Sequence, residues 1–258
     1  MIDFNYANKR FKEYLKDYDC NDGMIGLKIR HTYGVVSSME YLVDKLNLDD
    51  ENKELAKVIA LLHDIARFEQ AKEFGDFRDY KSIDHAELAI KILFEDNLIK
   101  EFVKSRKYDE IIKYAIKNHN KLYIEDELVD ETLLHAKLIR DADKLDNFRV
   151  KYKERFEDIF NSSKDKIENS LITDKIYNDF LSNKVIVNKE RVTDADVWIS
   201  YLAMIFDFNF IDSLKYIKEN DYINKLIDRL DFKIEDTRNK MNIIREHANN
   251  FIKLKVGE

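Results

Sequence analysis

The residues best suited to chemistry are an adjacent pair, His63 and Asp64, set inside an apolar run. Val58, Ile59, Ala60, Leu61 and Leu62 precede the pair and Ile65 and Ala66 follow it, so the segment reads as a helix buried around most of its circumference. An ionised carboxylate in such surroundings is costly unless a cation or several donors meet it. A metal ion is the most economical partner, and a core histidine beside an arginine is the plainer alternative. Two more histidines fall on inward stripes: His119 follows Ile111 and Ala115 at four-residue steps, and His85 shares a face with Leu88, Ala89 and Ile92. A single histidine on an apolar face is usually a satisfied core residue. Two of them beside a buried His-Asp pair are harder to dismiss, because imidazole and carboxylate are the usual ligands of Zn, Fe and Mn.

Helices must carry these side chains. Helical periodicity runs along nearly the whole chain and predicts helices near 6–18, 24–46, 52–66, 83–95, 108–119, 131–148, 164–181, 195–208 and 234–252, with shorter pieces between 210 and 230. Asp84 with Glu87 three positions on, and Thr193 with Asp194, read as helix starts. Residues 74–82, containing Gly75, Asp76, Asp79 and Ser82, read as a loop, and 185–192 as a small hairpin around Asn188. The 258 residues include 5 glycines and no proline, where average usage would supply roughly 18 and 13. Turn-dense β architectures draw on those residues, so composition favours an all-α protein. With no Gly-, Ser- or Pro-rich linker and no internal repeat, one domain over 1–258 is expected.

The 44 basic and 51 acidic residues leave a formal charge of −7 without a basic block. That argues against a dedicated binder of large nucleic acids, which needs a basic footprint, while a small anionic ligand stays compatible. The one cysteine, Cys20, has no partner for an internal disulfide and reads as a partly buried, inert thiol. Residues 1–11 lack the apolar core of a signal peptide. The most apolar stretch, 198–206, is less than half the roughly 20 residues a membrane-spanning helix requires. A cytoplasmic protein with no membrane partner is expected.

Taken in order, the histidines and aspartates resemble the HD-domain superfamily of metal-dependent phosphohydrolases, whose signature is a histidine, an adjacent His-Asp and a distant aspartate. The matching residues are His31, His63 with Asp64, and Asp143. The last lies in the run Arg140, Asp141, Ala142, Asp143, Lys144, Leu145, Asp146, Asn147, where Ala-Asp-Lys-Leu is similar to the family's Ala-Asp-Arg-Leu ending. Helical phase leaves Asp141 as the alternative, since 141 and 143 flank the apolar face on opposite sides. The resemblance implies an HD-type helical bundle core over about 24–150 and leaves a helical extension over about 151–258. Members that also carry the two additional histidines typically hold a dinuclear centre. By that resemblance His31, His63, Asp64 and Asp143 hold one divalent ion and Asp64, His85 and His119 the other, with Asp64 bridging. Fe, Mn or Zn are the implied ions, with Mg or Ni compatible.

The activity so implied is hydrolysis of a phosphate ester, nucleotide or phosphodiester by a metal-activated hydroxide acting on a small phosphorylated substrate. Arg67 stands where related cyclic-dinucleotide phosphodiesterases carry a lysine, and reads either as a phosphoryl contact or as the ion-pair partner of Glu69 or Asp79. Lys144 reads as a second phosphate-facing cation or as a solvated one. Asn120, Arg140, Asp146 and Arg149 are weaker candidates for substrate contact or ligand support. His135 and His247 lie outside the pattern and read as structural. A chain without proline cannot carry the Gly-Tyr-Pro of one phosphodiesterase branch. The guanosine tetraphosphate hydrolases share the Ala-Asp-x-Leu-x-Asn ending but not the two additional histidines. The same ordered ligands also serve mixed-valence di-iron oxygenases, which is the second reading. A non-catalytic metal- or nucleotide-binding module is the third, in keeping with the motif-free residues 151–258. The aromatics across 198–210 read as packing against the core or as a homo-oligomer interface.

Overall fold

Short acidic side chains start the helices that carry the candidate residues. In the computed structural model, which describes residues 2–75, 77, 79, 83–160 and 162–257, Asp3 accepts from the Tyr6 N–H and opens α1 (Phe4–Tyr14). Asp22 accepts from Met24 and Ile25 at α2 (Gly23–Lys45), and Asp49 from Asn52 at α3 (Asp50–Leu62). Each carboxylate satisfies donors that a helix start leaves free and meets the positive end of the helix dipole. After α4 (Ala66–Phe74), Gly75 takes the left-handed conformation at φ 59° that ends a helix. Asp84 then caps α5 (His85–Ile90), accepting from Ala86 and Glu87. The series continues with α6 (Ile99–Phe102), α7 (Asp109–Asn118) and α8 (Asp130–Lys153). Among the described residues there is no strand, and the fold is all-α. Of the expected loop over 74–82, Asp76 and Ser82 lie outside the described residues.

The chain divides into two compact units, Met1–Asp146 and Asn147–Glu258. In the first, α3 is the hub. Leu55, Ala56, Val58, Ile59, Leu61 and Leu62 have no solvent exposure, and α2 packs along the helix with Val35, Met39 and Leu42 equally buried. Each large aliphatic side chain taken from water contributes about 1.5–3 kcal/mol. A run of them supplies enough to hold a buried carboxylate, which costs several kcal/mol. The helix expected over 52–66 is two helices. Ile65 N–H bonds to the Leu62 carbonyl three residues back, at 3.1 Å, and His63 turns its ring onto the Ala60 carbonyl, so the chain tightens at 63–65 before α4 begins.

The second unit contains the end of α8 followed by α9 (Phe156–Ile159), α10 (Lys164–Glu168), α11 (Asp174–Leu181), α12 (Asp194–Leu202), α13 (Ile211–Glu219), α14 (Tyr222–Asp228) and α15 (Glu235–Val256). Trp198 stacks on Phe156 at 5.6 Å, and Phe206 packs between Phe180 and Phe251. The helix expected over 164–181 is interrupted because its middle is used elsewhere. Thr173 gives its N–H and hydroxyl to the Asp196 carboxylate, and Ser170 accepts from the Ala195 N–H and the Thr237 hydroxyl. The hairpin expected over 185–192 does not form: Val192 and Thr193 N–H groups donate to Asp196 Oδ2, and Asn188–Glu190 is a single 3-10 turn. Cys20 is exposed rather than partly buried, just beyond the 3-10 turn Leu15–Asp17 that follows α1. Among the described residues no helix is long and apolar enough to cross a membrane.

His135, on α8, is fully buried, with Nε2 2.8 Å from Asn52 Oδ1. Burial pushes its pKa down to about 4. The unfolded chain, with a histidine pKa of about 6.5, then binds the proton more readily, so the stability that neutral His135 contributes is present above about pH 6.5 and is lost as pH falls toward 4. At about 1.4 kcal/mol per pH unit the difference amounts to roughly 3 kcal/mol. In denaturant titrations the stability of wild type minus that of His135→Gln should therefore fall by about that amount between pH 7 and pH 4. A difference that stays constant with pH would show that His135 is not buried neutral.

Candidate metal centre

Helix ends set two of the histidines. His63 is the C-cap of α3 and His119 the C-cap of α7, where the last carbonyls of a helix have no partner in the ladder. Each ring supplies one: Nδ1 of His63 lies 2.8 Å from the Ala60 carbonyl, and Nδ1 of His119 lies 2.6 Å from that of Ile116. The other two rings are keyed by carboxylates. His31, in α2, places Nδ1 2.7 Å from Asp146 Oδ2, and His85, opening α5, places Nδ1 2.7 Å from Asp79 Oδ2. An acceptor oxygen requires an N–H opposite it, so in all four rings Nδ1 carries a proton. Nε2 of His63, His85 and His119 is left to act as the ligand atom, whereas Nε2 of His31 also faces a carboxylate oxygen, of Asp143, and could act as a ligand only after giving up a proton.

The four Nε2 atoms converge on Asp64. Its Oδ2 faces His31 at 3.7 Å and His63 at 3.6 Å, and its Oδ1 faces His85 at 3.4 Å and His119 at 3.7 Å. Asp143 adds Oδ1 at 3.0 Å from His31 Nε2. The ligand atoms of His31, His63 and Asp64 lie within 4.8 Å of one another, as do those of Asp64, His85 and His119. The residues fit a divalent cation on two observations. His63 Nε2 is buried without a hydrogen-bond partner, which is expensive for a polar atom unless a metal takes its lone pair. His85 Nε2 and His119 Nε2 lie 2.9 Å apart. Two lone pairs at that separation repel unless a proton or a cation lies between them.

Charge follows the same arrangement. Burial alone would raise the Asp64 carboxyl, but Lys28 and His63 more than offset it and hold the group well below the usual carboxylate range. Burial pushes His63 down to about 4; burial and then Arg67 do the same to His85. For His31, burial opposes protonation but is outweighed by the hydrogen bonds to Asp143 and Asp146, which raise it to about 9. The carboxylates of Asp64, Asp79, Asp143 and Asp146 thus stand around a centre lined with imidazoles, a field that draws cations.

The remaining candidates fall in varied places. Arg67 takes the ion-pair course: Nη1 meets Asp79 Oδ1 at 2.8 Å, Gln70 Oε1 at 2.7 Å and the Phe77 carbonyl at 2.6 Å, while Nε stands 3.6 Å from Asp64 Oδ1. Glu69, the other partner weighed for it, instead accepts from the Tyr18 hydroxyl. Arg140 is buried, and its guanidinium donates to the carbonyls of Asn118, Lys121 and Leu122, fixing the turn that presents His119. Asn120 donates to Asp84 Oδ1 at 2.9 Å. Asp146 supports His31 directly. Lys144 is half-buried beside Asp143, and Asp141 is fully buried. Arg149 belongs to the second unit, 3.7 Å from Glu154. His135 and His247 hydrogen-bond Asn52 and Asn183.

Three residues that position the cluster escape sequence reasoning. Lys28 puts Nζ 2.6 Å from Asp64 Oδ2; its signal is its place one helical turn before His31. Asp79 falls within 74–82, where periodicity assigns no face, so the sequence offered it to Arg67 but gave no signal of its bond to His85. Gly34, one turn after His31, lies so close to Asp146 that a Cβ there would overlap the carboxylate; a glycine inside a helix, tolerated at a cost of about 1 kcal/mol, was the available hint.

Comparison with protein-family models matches residues 29–147 to the one described as HD domain. Nothing matches among curated proteins or among solved structures.

Gly34→Ala tests the keying of His31. The added methyl must turn the Asp146 carboxylate aside, and His31 then loses the acceptor that orients its ring. Loss of such a supporting carboxylate typically costs about 10–100-fold in metal affinity. Titration calorimetry with Mn2+ should show that loss in Gly34→Ala while circular dichroism retains the wild-type helix content. Wild-type affinity would mean that Asp146 does not set the ring.

Proposed function

Residues 29–147 are an HD domain, the domain of a superfamily of metal-dependent phosphohydrolases, and on that premise we propose that this chain hydrolyses a small phosphate ester, nucleotide or phosphodiester with two divalent ions of the Fe, Mn or Zn type. The observation that carries the reading is the division of the Asp64 carboxylate, one oxygen toward the His31 and His63 Nε2 atoms and the other toward those of His85 and His119. A carboxylate shared in this way is the natural bridge between two cations. His31, His63, Asp64 and Asp143 would hold one ion, and Asp64, His85 and His119 the other.

The chemistry that divalent ions would supply if held by these residues is a water acidified to near-neutral pKa and a polarised phosphoryl oxygen. The chain's own groups do the rest. Asp146 and the Asp79–Arg67 pair keep two rings in register, and the Ala60 and Ile116 carbonyls keep the other two. Lys144, next to Asp143 and half-buried, is the cation we assign to the phosphate charge, with the Arg67 guanidinium beside the bridging carboxylate.

Elemental mass spectrometry on protein purified without chelator should find two metals per chain, and about one in His119→Ala. Asp64→Ala should lose both, and with them the release of inorganic phosphate from a panel of phosphate esters and nucleotides. Turnover should drop by roughly 10³-fold or more, the scale at which a principal electrostatic contributor to the transition state is lost. The wild-type rate should not depend on dioxygen. A fully metallated, active Asp64→Ala protein would sink the proposal.

A further inference from the structure

Asp64 already carries a cation that the metal reading leaves without a task. Lys28 Nζ lies 2.6 Å from Oδ2, the same oxygen that faces His31 at 3.7 Å and His63 at 3.6 Å. An ion held by those rings and by Oδ2 would have to share that oxygen with the ammonium 2.6 Å away from it. At such separations a monovalent and a divalent charge repel by more than one hydrogen bond returns. The two cations compete for one oxygen.

The neighbouring arginine and the lysine are built differently for such a contest. Arg67 is tied down at Nη1 by Gln70, Asp79 and the Phe77 carbonyl. Lys28 reaches Asp64 on a stem of four methylenes that can rotate as a unit. Its side chain is 16% exposed, and Nζ lies 5.3 Å from the Phe77 ring, whose face favours a cation.

Resting on the two-metal reading above, we propose that Lys28 is a built-in counter-cation of the metal-free protein, which holds the Asp64 carboxylate until a divalent ion takes Oδ2 and is displaced as that ion enters. The ammonium and the ion are then linked ligands of one carboxylate, and linkage is reciprocal. Whatever stability Lys28 lends to the metal-free chain is subtracted from the affinity for the ion.

The test uses Mn2+ alone and needs no turnover. In thermal unfolding, metal-free Lys28→Met should melt several degrees below wild type, saturating Mn2+ should erase the deficit, and calorimetry should give a Kd about tenfold lower than wild type. Lys28→Arg, which keeps the charge, should keep wild-type stability without metal. In the unaltered protein, acetylation of the Lys28 amine, mapped by peptide mass spectrometry, should rise several-fold on adding Mn2+; this arm needs no variant to fold. Unchanged or weaker Mn2+ binding by Lys28→Met, or labelling that stays level or falls, would overturn the displacement. A wild-type chain that takes up no Mn2+ would instead remove the metal-centre reading, and the displacement with it.

Discussion

A carboxylate withdrawn from water has to be answered by positive charge or by donors, and Asp64, 3% exposed, is placed at the end of the most deeply buried helix of its unit. What surrounds it is unusual for a structural carboxylate. Lys28 and Arg67 bring full charges, but the nearest other groups are imidazole nitrogens whose partners on the far side of each ring leave Nε2 facing the carboxylate. Those nitrogens relieve the buried anion only through a shared proton or a shared cation. Helix breaks, loop contacts and the close approach of α2 to α8 at Gly34 all follow as ways of bringing four such nitrogens to one oxygen pair.

Asp196, in the second unit, shows the other solution. It too is fully buried, yet its oxygens accept from the Thr173 N–H and hydroxyl and from the N–H groups of Val192 and Thr193. Neutral donors satisfy it completely enough to stitch α12 to the preceding segment, and nothing is left over for a ligand. The two aspartates are alike in burial and differ in the chemistry of their neighbours. That difference, more than depth, separates a carboxylate that holds a fold together from one suited to binding an ion.

Much of this arrangement was legible from residue order. The periodic runs that become α2, α3, α5, α7 and α8 announce themselves because their apolar faces repeat every three to four residues, and His85, opening α5, and His119, ending α7, fall on those faces. What periodicity could not show was side chain meeting backbone. The break at 63–65 arises from a ring capturing the Ala60 carbonyl, and the interruption after α10 from Asp196 capturing Thr173, both contacts invisible to a pattern of hydrophobicity. The role of Arg67 was open between phosphate and an ion pair with Glu69 or Asp79 for the same reason: periodicity assigns no face to 74–82, and only the position of Asp79 in space shows the guanidinium already engaged. Val185 to Val192 misled in the opposite direction, its β-branched residues suggesting a ladder that the Asp196 carboxylate pre-empts.

The four rings are keyed at very different distances along the chain. His63 and His119 find their acceptors three residues back, and His85 six residues back, whereas His31 finds Asp146 across 115 residues. Local contacts close quickly and cheaply, while long-range ones wait for the loop between them to be ordered. Assembly of the ligand set therefore has a built-in order: the His63 and His119 rings are oriented as soon as their helices exist, and the His31 corner is completed only when α8 docks. A nascent or partly unfolded chain would present only part of the cluster, so any cation that needs all of these side chains would find them together only after the helix bundle has closed.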